Sequence, residues 1–348
     1  MKSIKLNLRD RVKNLPDHIK DFDPSYATRY MIIAEMILEI DKNTEKKSKI
    51  LDVGGHDGAI KDFLPGYNIT IADIAEDKEA ENYVQCNGAN LPFADGSFDI
   101  VISCDVLEHV VQDDREDFIK EMLRVTNNYF LLCAPFETER IIMAEKLCDS
   151  FYKSMTNESY IWLKEHRKYV LPRKEWLEGL LDPHVVNSTS LNHTSLGLWT
   201  LMLCSNFFLA GNIAAIDEEL ATELRSINEQ YLQNIACVDF TKEGYRTFFI
   251  ASKETKINVV TPSYDEKRVN LFFENDLVTT GKVLAGMTKK IGSLLNNNKV
   301  FENIRQENDV LKQEYNAIKQ EIFDIKNSRR YKISERVGNI KNKLIGRK

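Results

Sequence analysis

A chain of 348 residues, 43% of them hydrophobic, is long enough for one sizeable core plus an added segment. Its 47 Lys and Arg against 53 Asp and Glu leave a formal net charge of -6, so there is no surplus for a polyanion and nucleic acid is not expected as a partner. Six cysteines, Cys86, Cys104, Cys133, Cys148, Cys204 and Cys237, stand without a CxxC pair and no secretory signal opens the chain, which fits reduced thiols in a cytoplasmic protein.

In chain order, residues 24–41 place Met31, Ile32, Met36, Ile37 and Ile40 at helical spacing and predict a helix. Ile50 to Val53 predict a buried strand that runs into the turn Gly54-Gly55-His56-Asp57-Gly58. Glycine lets the backbone turn sharply and approach a ligand closely, so a flat or adenosine-like group is expected there. A dinucleotide fingerprint wants glycine at the first, third and sixth places. From Gly54 these hold Gly54, His56 and Ala59, and no Lys-Ser/Thr follows, so both that cradle and a P-loop are excluded. Ile69 to Ala72, Phe98 to Ser103 and Tyr129 to Cys133 read as strands and Arg115 to Val125 as a helix. Such alternation implies an α/β parallel sheet with right-handed crossovers and a ligand beyond the carboxyl ends of its strands.

Beyond Pro135, residues 136–169 read as helical and polar, Pro172 to Leu181 as a short helix, Val185 to Leu191 as a strand, Ile216 to Asn234 as a helix and Tyr245 to Ile250 as a strand. Residues 195–216 carry no charge and approach the length of a membrane span. Ser205, Asn206, Asn212 and two glycines interrupt the run, so a buried helix or the wall of a site is expected instead. Residues 255–280, with Pro262 and little periodicity, read as a linker.

Phe301, Ile304, Asn308, Leu311, Tyr315, Ile318, Ile322 and Ile325 alternate spacings of three and four, which predicts a coiled coil over 281–328 and self-association through it. The alternative is one amphipathic helix folded back on the domain. In residues 329–348, eight cations against the single acid Glu335 give +7, with Ile333, Val337, Ile340 and Leu344 at helical spacing. This basic tail suits the surface of an anionic membrane, or stands solvated.

Leu51 to Gly58, Asp73 at the second strand end, Asn87-Gly88-Ala89-Asn90-Leu91-Pro92-Phe93-Ala94-Asp95-Gly96-Ser97-Phe98-Asp99, and Asp105-Val106-Leu107-Glu108-His109-Val110 together resemble the class I S-adenosylmethionine-dependent methyltransferases. The resemblance covers about residues 25–254. It implies a Rossmann-like methyltransferase sheet with flanking helices over residues 1–254, followed by the linker, the coiled-coil helix and the tail, and S-adenosyl-L-methionine as cofactor. It further implies Asp52, Gly54, Gly55 and Gly88 as cofactor-binding positions, with Gly54 and Gly55 at the methionine part, and Asp73 as acceptor for the ribose hydroxyls. Asn87 stands where the family has an acid facing the adenine amino group, a bond its amide oxygen can accept. Ala89 and Leu91 would pack on the adenine ring, and the backbone at Ser103 and Cys104 would face the methionine amino group.

Methyl transfer rests on alignment, plus a base where the acceptor is a hydroxyl. His109 and His166 are the candidate catalytic bases; a structural bond within its turn is the alternative for His109. Asp105, Glu108 and His109 are similar to the cluster that holds a divalent cation in some ubiquinone O-methyltransferases and small-RNA 2′-O-methyltransferases. The same letters are widespread in members without metal, and no metal is assigned. Tyr152, Tyr160, Trp162 and Tyr169 stack on sugar rings or serve as packing. Domain, coil and basic ending together resemble bacterial surface-polysaccharide assembly proteins, which implies a glycan acceptor methylated on a sugar hydroxyl at the inner membrane face. A small-molecule or protein acceptor is the alternative, and a non-catalytic scaffold a third.

Overall fold

The computed structural model describes residues 1–13, 24–56, 58–76, 82–209 and 218–275, together with 312–313, 316–317 and 319–320, which are helical. The expected coiled coil apart from those six residues, the basic tail, and Asp57 of the glycine turn lie outside the described residues. The chain divides into two compact units, Met1–Met287 and Thr288–Lys348.

In the first unit β1 (Lys2–Lys5), α1 (Leu8–Lys13) and α2 (Pro24–Asp41) precede β2 (Lys49–Val53). There follow α3 (Ile60–Phe63), β3 (Asn68–Asp73), β4 (Tyr83–Gln85), β5 (Phe98–Cys104), α4 (Arg115–Val125) and β6 (Thr126–Ala134). Then come α5 (Glu139–Thr156), α6 (Ile161–Tyr169), α7 (Lys174–Leu181), β7 (Asn187–Ser195), α8 (Leu196–Leu209), α9 (Glu218–Gln230), a π-turn at Tyr231–Ile235, β8 (Gly244–Ser252), β9 (Ile257–Val260) and α10 (Glu266–Asn275).

Seven strands form one sheet in the order β4-β3-β2-β5-β6-β8-β7, a mostly parallel, Rossmann-like arrangement. Only β8 runs antiparallel to its neighbours β6 and β7. Strands covered by helices on both faces are near-continuous apolar runs, and β2 and β5 bury almost every residue. The edge strand β7 is polar and half-buried instead. One face carries a core of Val53, Val101, Leu132 and Phe249 with Phe118 and Leu123 of α4 and Leu177 of α7. Helix α2 adds Met31, Ile32, Ile33, Met36, Ile37 and Ile40, each at most 2% exposed, where burial of one such side chain contributes about 1.5–3 kcal/mol. From β2 the chain steps outward to β3 and β4, then returns to add β5 on the other side. The strand order therefore reverses between β2 and β5, and a crevice opens at their carboxyl ends.

Two expectations change, and the uncharged run keeps the buried helix expected of it. Residues 255–280 are no plain linker: β9 pairs in parallel with β1, Lys2 opposite Ile257, and α10 follows. The partner strand lies at the far end of the sequence, so nothing local announces the pairing. The helical stretch 136–169 is two helices, parted at Asn157, which adopts φ 62° and ends α5. Of the uncharged run 195–216, Leu196–Leu209 is helix α8, burying Leu198, Trp199 and Met202 and packing on α5. No helix among the described residues is long and apolar enough to cross a membrane.

Candidate active site

The glycine turn begins where β2 ends. The Gly54 amide donates to the Ala72 carbonyl at 2.7 Å, tying the turn to the end of β3. Gly54 has φ +82° and a Cβ there would meet a Val106 methyl at 2.4 Å, so the turn lies directly against the loop after β5. A Cβ on Gly55 would meet the buried Asp52 carboxylate at 2.3 Å. Beside it, the Asp73 carboxylate accepts from the His56 amide at 3.1 Å and the Ala75 amide at 2.8 Å. It thus braces two turns at once and keeps lone pairs for further donors.

After β4, the Asn87 side-chain oxygen accepts from the Ala89 amide at 2.9 Å, a local Asx turn that engages the oxygen expected for adenine. Gly88 is demanded by packing, since a Cβ would lie 2.5 Å from the Phe118 ring and 3.1 Å from a Val53 methyl. Leu91 is 3% exposed and belongs to the core, whereas Ala89 is part-buried at its edge. Leu91 thus packs in the core beneath the loop that carries Asn87 to Ala89. The Ser103 hydroxyl donates to the Val53 carbonyl at 2.9 Å and locks β5 to β2, with Cys104 buried next to it.

Asp105 leaves β5 with φ +54°. Arg246 of β8 donates to both its carboxylate oxygens, and Arg29 of α2 adds a contact at 2.5 Å. Burial works against this charge, yet the two guanidiniums, Arg246 foremost, hold the carboxyl well below the usual range. Asp105 is thus committed to arginine and does not share a ligand cluster with Glu108 and His109.

That place is taken by His166. Residues 107–109 form one 3₁₀ turn, and α6 packs on it. His109 Nδ1 lies 2.9 Å from Glu165 Oε2, His166 Nδ1 lies 2.8 Å from Glu145 Oε1, and the two Nε2 atoms are 3.4 Å apart. Glu145 also accepts from the Tyr245 hydroxyl at 2.9 Å, and the Tyr245 ring stacks on Trp199. Glu108 is 1% exposed and its Oε2 has no hydrogen-bond partner among the described residues. Burial and the Asp105 charge push the Glu108 carboxyl up to about 8, with His166 opposing. For His166 burial disfavours the charge, but Glu145 and Glu108 outweigh it and raise the value; burial and His166 lower that of His109, against Glu165.

The structure therefore joins the two predicted histidines, 57 residues apart in sequence. Glu145, Glu165, Tyr245, Arg29 and Arg246 escaped sequence reasoning. Arg246 alone left a signal, as the one cation inside the apolar run Tyr245 to Ile250. Of the four aromatics, Trp162 meets the His109 ring edge-on at 5.2 Å and is 50% exposed. Tyr152 and Tyr160 instead pack on Phe207, and Tyr169 faces the Lys168 amine.

Residues 51–129 match the family model of a methyltransferase domain. A methyltransferase of Mycolicibacterium gilvum (strain PYR-GCK), itself uncharacterized, is 36% identical over 89 residues, which is 22% of this chain and 34% of that protein. Norajmaline N-methyltransferase of Rauvolfia serpentina is 32% identical over 102 residues, 24% of this chain and 34% of that protein. The chain thus spans about a third of the length of the curated relatives it matches. Among solved structures, magnesium protoporphyrin IX methyltransferase of Synechocystis PCC 6803 with bound SAH has a TM-score of 0.41 at 12% identity, covering 71% of this chain and 93% of that one. Over residues 51–129 the chain is similar to a methyltransferase domain, and S-adenosylmethionine is the cofactor consistent with that likeness.

Proposed function

We propose, from the likeness of residues 51–129 to a methyltransferase domain and the histidine pair that joins the turn after β5 to α6, that the protein is an S-adenosylmethionine-dependent O-methyltransferase acting on a sugar hydroxyl of a bacterial cell-surface glycan. The bound cofactor supplies an electrophilic methyl group on a sulfonium that leaves as a neutral thioether. Gly54 and Gly55 present bare backbone to its methionine part, and the Asp73 carboxylate accepts from the ribose hydroxyls. Asp52 packs against the turn at Gly55, Asn87, Gly88 and Ala89 shape the adenine side, and the Ser103 and Cys104 backbone closes the amino end.

The observation that carries the reading is the Nε2 to Nε2 separation of 3.4 Å, with each Nδ1 held on a carboxylate. A hydrogen bond from Nδ1–H to a carboxylate fixes the tautomer that leaves Nε2 as the proton acceptor. A hydroxyl placed there would give its proton to Nε2 as its oxygen takes the methyl group that the bound cofactor would supply. An amine acceptor has less need of such a base, which favours oxygen. The half-exposed Trp162 beside His109 offers a face for a sugar ring. Residues 281–328 would oligomerise the enzyme and residues 329–348 would hold it, in the cytoplasm, against the anionic inner membrane face where lipid-linked glycans are made.

The test is methyl transfer from labelled S-adenosylmethionine to extracted surface glycan, followed by sugar analysis for a methyl ether. Label in glycan, lost on His109→Ala or His166→Ala by about 10²–10⁴-fold in kcat with unchanged cofactor affinity, is the expected result. Label appearing only in protein or in an amine-bearing metabolite would overturn the glycan acceptor. An absence of cofactor binding by calorimetry would leave a scaffold.

A further inference from the structure

We propose that Glu108, His109 and His166 form a binding site for one divalent first-row transition cation of the zinc class. The three side chains come from the turn after β5 and from α6, and their ligand atoms all lie within 4.8 Å of one another. Two imidazoles and a carboxylate are the donors such cations take, whereas Mg²⁺ and Ca²⁺ prefer all-oxygen sites.

Three features point to a cation. The first is distance. Two nitrogens bound at about 2.0–2.1 Å with a tetrahedral angle lie about 3.4 Å apart, and the two Nε2 atoms are separated by 3.4 Å. The second is unspent capacity. With both Nδ1 atoms on carboxylates, two Nε2 lone pairs face each other, and a buried Glu108 oxygen without a hydrogen-bond partner among the described residues stands within reach of both. Lone pairs converging in a buried space call for a positive charge between them. The third is the outer ring. Ligating histidines almost always give their other nitrogen to a carboxylate, a backbone carbonyl or water that orients the ring, and here both give it to a carboxylate, with Tyr245 fixing Glu145 in turn. The other cluster of metal-binding residue types, Cys104, Asp105 and Cys133, lacks this arrangement, because Arg29 and Arg246 occupy its carboxylate.

Three protein ligands leave a fourth position open for water or for the acceptor hydroxyl, on the side where His109 remains partly exposed. The chemical use of the site rests on the proposed methyl transfer. There the cation would lower the pKa of the acceptor hydroxyl and hand an alkoxide to the methyl group, its proton passing to solvent. With the cation bound the pair would act as ligands, and in the metal-free protein Nε2 takes the hydroxyl proton directly.

The full chain, stripped with EDTA and dialysed against Zn²⁺, Mn²⁺ or Mg²⁺, is assayed for bound metal by mass spectrometry, and Co²⁺ loading is followed by visible absorption. One equivalent of Zn²⁺ is expected, with Mg²⁺ lost on dialysis and a four- or five-coordinate Co²⁺ spectrum without sulfur charge transfer. His166→Ala and Glu108→Gln abolish retention, and Glu145→Gln weakens it about 10–100-fold. S-adenosylmethionine affinity of each variant, unchanged, certifies the fold. No retained metal in the wild type, or equal retention in His166→Ala, overturns the site and means that the two imidazoles share a proton instead. Metal binding without cofactor binding would sink the methyltransferase reading and spare the site, and the reverse result would do the opposite.

Discussion

Arg246 grips Asp105 through both carboxylate oxygens, at 2.6 to 2.9 Å, and so ties the one antiparallel interior strand to the loop that carries Glu108 and His109. Arg246 is buried, the Asp105 side chain is only 11% exposed, and Asp105 sits at φ +54°. Removing one partner of a buried pair strands the other charge. Arg246→Met should therefore lower unfolding free energy by about 3–5 kcal/mol in urea titrations. Asp105→Asn, which tolerates the left-handed backbone, should cost less, and the double variant less than the two losses added. Because the folded Asp105 carboxyl is depressed, its stabilisation is present above about pH 4 and fades as pH falls below that. A loss under about 1 kcal/mol for Arg246→Met would show that the pair is not the brace described.

Much of the sheet was legible because its central strands are buried on both faces. Ile50 to Val53 and Phe98 to Ser103 announce β2 and β5 within a residue, and Arg115 to Val125 coincides with α4. Strand β4 has three residues, too few to show a period, and β1 and β9 gain their order only from each other. Strand β7, with the polar run Asn187 to Ser190, reads as loop for half its length, so its predicted start and end both fell early. At the site, the glycine turn and Asp73 were visible as local chemistry. The meeting of Glu108 with His166 and Glu145 was not, because it depends on how α5 and α6 fold back over the 107–109 turn.

Two close glycine approaches separate binding from packing. Gly54→Ala meets both a positive φ and the Val106 side chain, so the turn must move. Cofactor affinity measured by calorimetry should fall at least about 10-fold, with about 1–3 kcal/mol of stability lost. Gly88→Ala drives a methyl group into the Phe118 ring. Pairing it with Phe118→Leu should recover part of the stability loss, a rescue that Phe118→Leu cannot give Gly54→Ala. Equal rescue of both would mean that the two glycines do not act separately.

His193 and Asp239 set opposing pH dependences within one buried network. His193 bonds the Ala236 carbonyl and the Thr194 hydroxyl, while Asp239 bonds Tyr231 and the Ser195 amide. Burial pushes His193 down to about 4, with the nearby Arg246 charge adding to it and the Ala236 bond opposing. A histidine held neutral stabilises the fold fully above about pH 6.5, and that contribution, about 3 kcal/mol, is lost as pH falls toward 4. Burial raises the Asp239 carboxyl to about 6, so its stabilisation is present at low pH and lost as pH climbs through 6. Between pH 6.5 and 4 the two nearly cancel. Urea unfolding across that range should show His193→Gln gaining stability on acidification and Asp239→Asn losing it. Parallel curves for the two variants would contradict the assignment.

Asp73 offers a way to divide ribose binding from turn bracing. Its two oxygens take one amide each, from His56 and Ala75. Asp73→Asn keeps one oxygen for the turn and loses the charge, so cofactor affinity should drop about 10-fold with stability within about 1 kcal/mol of wild type. Asp73→Ala removes both acceptors. Affinity should then fall about 100-fold, and the two orphaned amides should cost about 1–3 kcal/mol, or several degrees in Tm. If Asp73→Ala left the affinity for S-adenosylmethionine intact while lowering Tm, Asp73 would be a turn brace alone, and the ribose would have to be held elsewhere along the carboxyl edge of β3.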